Sequence, residues 1–178
     1  MDSWLPRLTR SGLIPSSISP TSPGGWRERG PVPTGFLTLS LFDLYGGLLH
    51  RVVHQNVVTN LGRHAIAHTT AGDDVANQRV TSIVFGSGVG TPDVTDVALF
   101  SAVIITKTVT ASFPAVSPPT EVTYTASVLA GEGNGSGSQD YKEAGLLTSA
   151  GSLFSHTAGF LISKTSAIVI TAAWSLVF

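Results

Sequence analysis

The sequence predicts a mainly β protein: an antiparallel β-sandwich with one short helix and an extended N-terminal arm. Three observations lead there. Apolar and polar residues alternate with a period of two in several short stretches, and turn residues separate those stretches. Six of the ten prolines (Pro6, Pro15, Pro20, Pro23, Pro31 and Pro33) crowd into the first 34 residues. No self-similarity at a period of 20 to 50 residues points to a solenoid or propeller.

Residues 1–34 read as a docking arm. Proline fixes φ and removes a backbone donor, so this stretch makes neither a continuous helix nor a central strand. It nevertheless carries Trp4, Leu5, Leu13, Ile14, Ile18 and Trp26, which a plain spacer does not need. These six are the expected partner-binding anchors, since large rigid side chains dominate interface energy.

Residues 35–178 read as the folded domain. In "GFLTLSLFD", Phe36, Thr38 and Ser40 alternate with Leu37, Leu39 and Leu41; "LYGG" supplies a turn, and "LLHRVVHQN" returns, which gives a hairpin over 35–56. A Thr59 or Asn60 cap ahead of Leu61, Ala65, Ile66 and Ala67 predicts a short helix over about 59–70, ended near Gly72 and weakened by Gly62. Strands then fill 79–178. "DDVANQ" reads as a polar loop, "RVTSIVFGSG" as a strand running into glycines, and "VGTPDVTDVALFSAV" as a turn with one helical turn near Thr95 or Asp96. "AVIITKTVTASF" and "EVTYTASVLA" read as two antiparallel strands joined across "PAVSPPT", with Lys107 interrupting the apolar face of the first. After the loop "GEGNGSGS" come short strands at "KEAGLLT" and "SLFSHTA" and a last strand in "SAIVITAAWSLVF". There Ile168, Ile170, Ala172, Trp174, Leu176 and Phe178 share one face and the other is also fairly apolar, so the strand is expected to be central or at a subunit interface, with its end buried in an assembly.

Composition narrows the function. The charged fraction is 12% and the net charge is −1, so no basic surface exists to neutralise phosphates and nucleic acid is not an expected partner. No run approaches the roughly 20 apolar residues of a membrane span, and "MDSWLPRLTRSG" lacks the apolar core of a signal peptide, so synthesis in a cytoplasm and no membrane partner are expected. The chain has no cysteine, which removes disulfides, thiolate nucleophiles and sulfur-ligated metals.

The chemical motifs are thin. His64 and His68 lie i, i+4 on the expected helix and could share a metal, but "HAIAH" lacks the glutamate of a zinc protease and a third ligand is not evident. His50 and His54 share a strand face, where histidines of a trimer could meet around an axis and trap a metal. "GSGVGT" lacks the Lys-Ser/Thr ending of a phosphate loop, "GLLTSAG" is no nucleophile elbow, and Asp73-Asp74 have no ligand-spaced third carboxylate. The expectation is no enzyme and no cofactor. Lys142-Glu143 is expected as an exposed ion pair at a strand mouth; if Glu143 turns inward, a backbone or arginine partner must satisfy it.

Three segments, "NVVTNLGRHAIAH", "VTSIVFGSGVGTPDVTDVALFSAV" and "YKEAGLLTSAGSLFSHTAGFLISKTSAIVITAAWSLVF", together resemble small structural proteins of tailed bacteriophages, of the tail, collar or fibre-attachment type. The resemblance covers about residues 55–178 and lies in the order of the features. It implies a non-enzymatic virion component of the tail, baseplate, neck or fibre base, assembling with other virion proteins as a homo-oligomer, with a trimer favoured. It marks as structural positions Asn56, Asn60 and Gly62 at the helix start, Gly86 and Gly88 in the turn, and Pro92, Asp96 and Leu99 in the connection. It also marks Glu143, Ala144, Gly145 and Leu146 in a strand, and Lys164 and Thr165 at the start of the last strand; Leu147 departs from the pattern. The alternative is a receptor- or carbohydrate-binding module of a tail fibre, for which Tyr45, Tyr141 and Trp174 would supply the aromatic platform.

Overall fold

The computed structural model describes residues 33–112 and 121–178. The six arm anchors and the "PAVSPPT" connection therefore lie outside the described residues. Within them the chain is mainly β, as the alternation predicts: one antiparallel sheet of nine strands, nearly closed into a barrel.

The strands are β1 (Thr34–Phe42), β2 (Leu48–Val58), β3 (Val80–Gly86), β4 (Val103–Thr108), β5 (Thr110–Ser112), β6 (Glu121–Val128), β7 (Ser138–Thr148), β8 (Leu153–Thr165) and β9 (Val169–Val177). Two helices, α1 (Asn60–Ala71) and α2 (Val75–Gln78), separate β2 from β3. The sheet order is β4-β3-β7-β8-β2-β1-β9-β6-β5.

Where one strand face meets the core and the other does not, the sequence period fixes the orientation. Leu37, Leu39 and Leu41 of β1 point inward, and so do Ile170, Ala172, Trp174 and Leu176 of β9. β9 lies between β1 and β6, a central position as its two apolar faces suggested. Leu37 stands opposite Trp174 and Tyr124 stands on Trp174's other side, so three strands contribute one layer of side chains. Phe85 and Tyr141 stack at 5.2 Å beneath the other half of the sheet. Each such fully buried large side chain contributes about 1.5–3 kcal/mol of hydrophobic stabilisation. Phe178, expected on the inner face, is instead 49% exposed one residue beyond the last rung.

The hairpin turn is closed by Asp43, whose Oδ1 accepts from the N–H groups of Tyr45 (2.8 Å) and Gly47 (2.7 Å). α1 is capped as expected: the Thr59 hydroxyl accepts from Gly62 N–H at 3.0 Å, and Gly72 ends the helix at φ 73°. Gly62, a weakness by propensity, is here a requirement. A Cβ on it would collide with the Phe154 carbonyl, so glycine lets α1 lie directly on β8.

Four expectations fail, each for a physical reason. The stretch 103–112 is two strands. β4 pairs with β3 and β5 pairs with β6, and between them Val109 donates its N–H to Thr81 O at 3.0 Å. One ten-residue run thus touches both outer edges of the sheet, which brings the barrel close to closure. No helical turn forms near Asp96; Asp93 organises that loop by accepting from the Thr95 N–H and hydroxyl. The single turn of helix is α2, inside the expected polar loop, where the Asp74 carboxylate accepts from Asn77 and Gln78 side chains. Finally, β7 and β8 are long strands, and Lys164 and Thr165 end β8 rather than begin β9.

Gly62→Ala should destabilise the protein by about 1–3 kcal/mol, the usual cost of overpacking, measured as a lower urea midpoint at unchanged m-value. An unchanged midpoint would mean that α1 does not rest on β8.

Candidate functional site

β7 and the long connection from β3 to β4 build the most polar cluster among the described residues. Glu143 lies on β7 opposite Gly86 of β3 and Ala158 of β8 and has no solvent exposure. Its carboxylate is saturated by donors from the connection. Oε1 accepts from Gly88 N–H (2.8 Å), Ser101 N–H (2.9 Å) and Ser101 Oγ–H (2.6 Å), and Oε2 accepts from Phe100 N–H (2.7 Å).

His156 of β8 completes the cluster. Its Nε2 is 3.2 Å from Glu143 Oε2 and its Nδ1 is 2.7 Å from Asp96 Oδ2, with no part of its side chain exposed. Both ring nitrogens thus face carboxylate oxygens. Phe100 covers the imidazole, its ring 4.6 Å away. Asp96 Oδ2 also accepts from Asp93 N–H at 2.9 Å, tying the loop's own turn to the same histidine.

The local sequence explains the approach. A Cβ on Gly86 would stand 2.5 Å from Glu143 Oε1, and one on Gly88 would meet the same oxygen, so glycines at both positions let the backbone close on the carboxylate. Gly145 clears room for Leu153 and Leu99 in the same way. The glycine-rich turn supplies one donor to this carboxylate, the Gly88 N–H, and Phe100 and Ser101 supply the other three. Burial pushes the Glu143 carboxyl up, while hydrogen bonds from Ser101, Phe100, Gly88 and His156 pull it down; the result lies below the ordinary glutamate value.

The expected Lys142-Glu143 pair is therefore corrected. Successive strand residues point to opposite faces, so Glu143 enters the interior while Lys142 stays at the surface, 3.9 Å from Asp140. Of the two outcomes the sequence left open for Glu143, backbone satisfaction is the one that occurs.

A second buried charge secures the far end of the barrel. Lys164 has no exposure, and its Nζ donates to Ala130 O (3.0 Å), Asn134 Oδ1 (2.8 Å) and Thr165 O (2.8 Å), which uses all three of its protons. Burial holds its pKa below the ordinary lysine value, partly offset by Glu132. Lys107, the interruption in the apolar face of β4, binds both oxygens of Glu132 at 2.9 and 2.8 Å in the same loop.

The remaining marked positions are structural too. Asn56 is buried in β2; with its amide oxygen turned to the donors it accepts from Phe36 N–H and the Trp174 indole N–H. Asn60 begins α1 and donates its N–H to Val94 O at 2.6 Å, binding the helix to the connection that holds Pro92, Asp96 and Leu99. Ala144 and Leu146 are core residues.

His64 and His68 do meet on α1, with ring centroids 4.1 Å apart, and His68 Nδ1 is 2.9 Å from Asp73 Oδ2. His54 packs on Phe160 at 5.5 Å, while His50 is exposed nearer the hairpin turn. Among the described residues no group of three or more His, Cys, Asp or Glu side chains is arranged to hold a metal ion. Sequence reasoning missed Ser101 and His156. The one available signal was the run Ser155-His156-Thr157, polar residues set between Leu153-Phe154 and the stretch Ala158–Ile162, all three without solvent exposure here.

No family model matches the chain, and neither the curated proteins nor the solved structures contain a match to it.

Glu143→Ala should destabilise the protein by about 3–5 kcal/mol, because it strands His156 and several buried donors; chemical denaturation reads this directly. The pH dependence has a definite sign. Glu143 has a lowered folded-state pKa, so its stabilisation is present above the ordinary glutamate value and is lost as pH falls through the folded value. Acid titration of wild type should show this loss below about pH 4.3, and the Glu143→Gln variant should lack that part of the slope. Lys164→Met should cost about 2–4 kcal/mol and raise hydrogen exchange across residues 129–137, as Ala130, Asn134 and Thr165 lose their donor.

Proposed function

We propose that the protein is a non-enzymatic structural component of a tailed-phage virion, belonging to the tail, baseplate, neck or fibre base, and that its work is assembly. The observation that carries the reading is the use made of Glu143, His156 and Asp96. These groups could do acid–base chemistry, yet Glu143 and His156 are sealed from solvent, the Asp96 side chain is only 15% exposed, and all three are spent on fixing the 86–101 connection. A catalytic carboxylate needs a substrate within hydrogen-bond reach; this one is surrounded by the chain's own donors.

The surface supports the same reading. Leu44, Tyr45, Leu48, Leu49 and Val53 are all more than half exposed on and beside the β1–β2 turn. Apolar side chains gathered in this way mark contact surfaces more often than idle ones. The resemblance in feature order over about residues 55–178 supplies the virion context.

The sheet is proposed to work as a two-layer β-sandwich, one layer holding β1, β2, β5, β6 and β9 and the other β3, β4, β7 and β8. What favours it is the short backbone ladder between the layers: β2 and β8 pair only at Val57–His156 and Val58–Ser155, the remaining contacts between them being made by side chains. The assembly is proposed as a homo-oligomer, a trimer by preference, with the arm of residues 1–34 docked on other virion proteins. A receptor-binding role is the second reading. It is favoured by Tyr45, 98% exposed at the hairpin tip, and disfavoured by Tyr141 and Trp174, which are fully buried.

Deletion of residues 1–32, which leaves β1 intact, should abolish or sharply reduce incorporation into particles while thermal stability stays within a few degrees of wild type. Full occupancy of the truncated protein in purified particles would overturn the arm's role, and saturable binding to a glycan array would promote the second reading.

A further inference from the structure

We propose that His64 and His68, on the outer face of α1, form an open site for one borderline divalent transition metal ion of the Zn2+, Ni2+ or Cu2+ class, with Asp73 as its positioning residue. The site stands apart from the assembly role proposed above, and neither requires the other.

Imidazole is the side chain that suits these ions, and two imidazoles one helical turn apart reach a single ion. The chain has five histidines, and this pair is the one arranged for it. The two rings lie 4.1 Å apart between centroids, at 39° to one another. Nitrogens bound at about 2.0–2.1 Å to one ion are roughly 3 Å apart, and rotation about the broad outer torsion of histidine brings them there from this spacing. His64 is exposed and the His68 side chain is 32% exposed, so an ion can enter from solvent. The other histidines are placed differently. His50 and His54 are four residues apart along β2, roughly 13 Å, which is too far for one ion within a chain. Both nitrogens of His156 are already engaged by carboxylates.

Asp73 prepares the ligand. Its Oδ2 is 2.9 Å from His68 Nδ1, and an ionised carboxylate only accepts, so Nδ1 carries the proton and a neutral ring keeps its Nε2 lone pair for the ion. A carboxylate on the far nitrogen of a ligand histidine fixes the tautomer and makes the ligating nitrogen more basic. Asp73 is held in place by the end of the helix itself: after the left-handed Gly72, its N–H donates to His68 O at 2.9 Å. Ligand and positioning residue are therefore tied together twice. His68 also lies in the last turn of α1, where the carbonyl end of the helix favours a cation. Two protein ligands leave the remaining positions to water, which makes the site open rather than a closed four-ligand one. Mg2+ and Ca2+, which take oxygen ligands, are not suited to it.

Untagged full-length protein, dialysed in turn against Cu2+, Ni2+, Zn2+ and Mg2+, should take up a single Cu2+, Ni2+ or Zn2+ ion per chain, Cu2+ most tightly, and no Mg2+. His64→Ala and His68→Ala should each weaken uptake by on the order of tenfold or more, and Asp73→Asn by on the order of tenfold. The His50→Ala/His54→Ala double variant should bind as the wild type does, and circular dichroism of the metal-free variants should be unchanged. Long-range 1H–15N spectra of the metal-free protein should show His68 as the Nδ1–H tautomer, a preference that Asp73→Asn should remove. No stoichiometric uptake of Cu2+ overturns the site, and so does uptake that survives both His64→Ala and His68→Ala or disappears with His50→Ala/His54→Ala. A His68 tautomer and a metal affinity that Asp73→Asn leaves unaltered overturn the positioning role.

Discussion

The rest of the fold depends on one buried carboxylate. The connection between β3 and β4 is long, rich in glycine and poor in regular structure, and such a segment close to a core needs partners for its backbone N–H groups. Glu143 provides them. Its two oxygens gather three backbone donors and a serine hydroxyl from residues 88–101, and through His156 they reach Asp96 and the Asp93 turn. The same connection then receives the first N–H of α1 at Val94. Strand, loop and helix are fastened in series from one residue.

This explains why a charge sits where an apolar side chain would bury at less desolvation cost. A leucine at 143 would fill the space but leave the N–H groups of Gly88, Phe100 and Ser101 without acceptors, and each buried orphan costs about 1–3 kcal/mol. The loop's conformation and the carboxylate therefore specify one another. Lys164 repeats the logic with opposite sign, a cation whose three protons fix Ala130 O and the Asn134 amide of the β6–β7 loop and Thr165 O at the end of β8. A chain with 12% charged residues uses two of its charged side chains as interior fasteners, one beside the 86–102 connection and one under the loop at 129–137.

What could be read from the sequence follows the same physics. β1, β6 and β9 were legible because one face of each meets the core, so the period of two survives in the residue pattern. β8 was legible only in part: residues 153–157 are buried on both faces, with α1 resting on Phe154, and alternation disappears there. The break at Val109 was hidden because both halves of the 103–112 run alternate in the same sense, and only the pairing partners differ. Glu143 was marked as a structural position, but its partners lie 13 to 55 residues away in the chain, and no local pattern carries such a separation.

The near-closure of the sheet connects these interior fasteners to the proposed assembly role. A strand at a sheet edge exposes unpaired backbone groups and invites uncontrolled pairing with other chains, which is a hazard for a protein whose proposed role is to assemble with copies of itself. Here the two edge strands, β4 and β5, are consecutive parts of one run and are joined through Val109, so the edges are brought toward one another and made short. In the proposed assembly, association is then left to side chains such as those of the exposed apolar hairpin. Side-chain contacts discriminate partners by shape, whereas backbone pairing accepts any extended strand, so a nearly closed sheet would confine the proposed assembly to neighbours that fit.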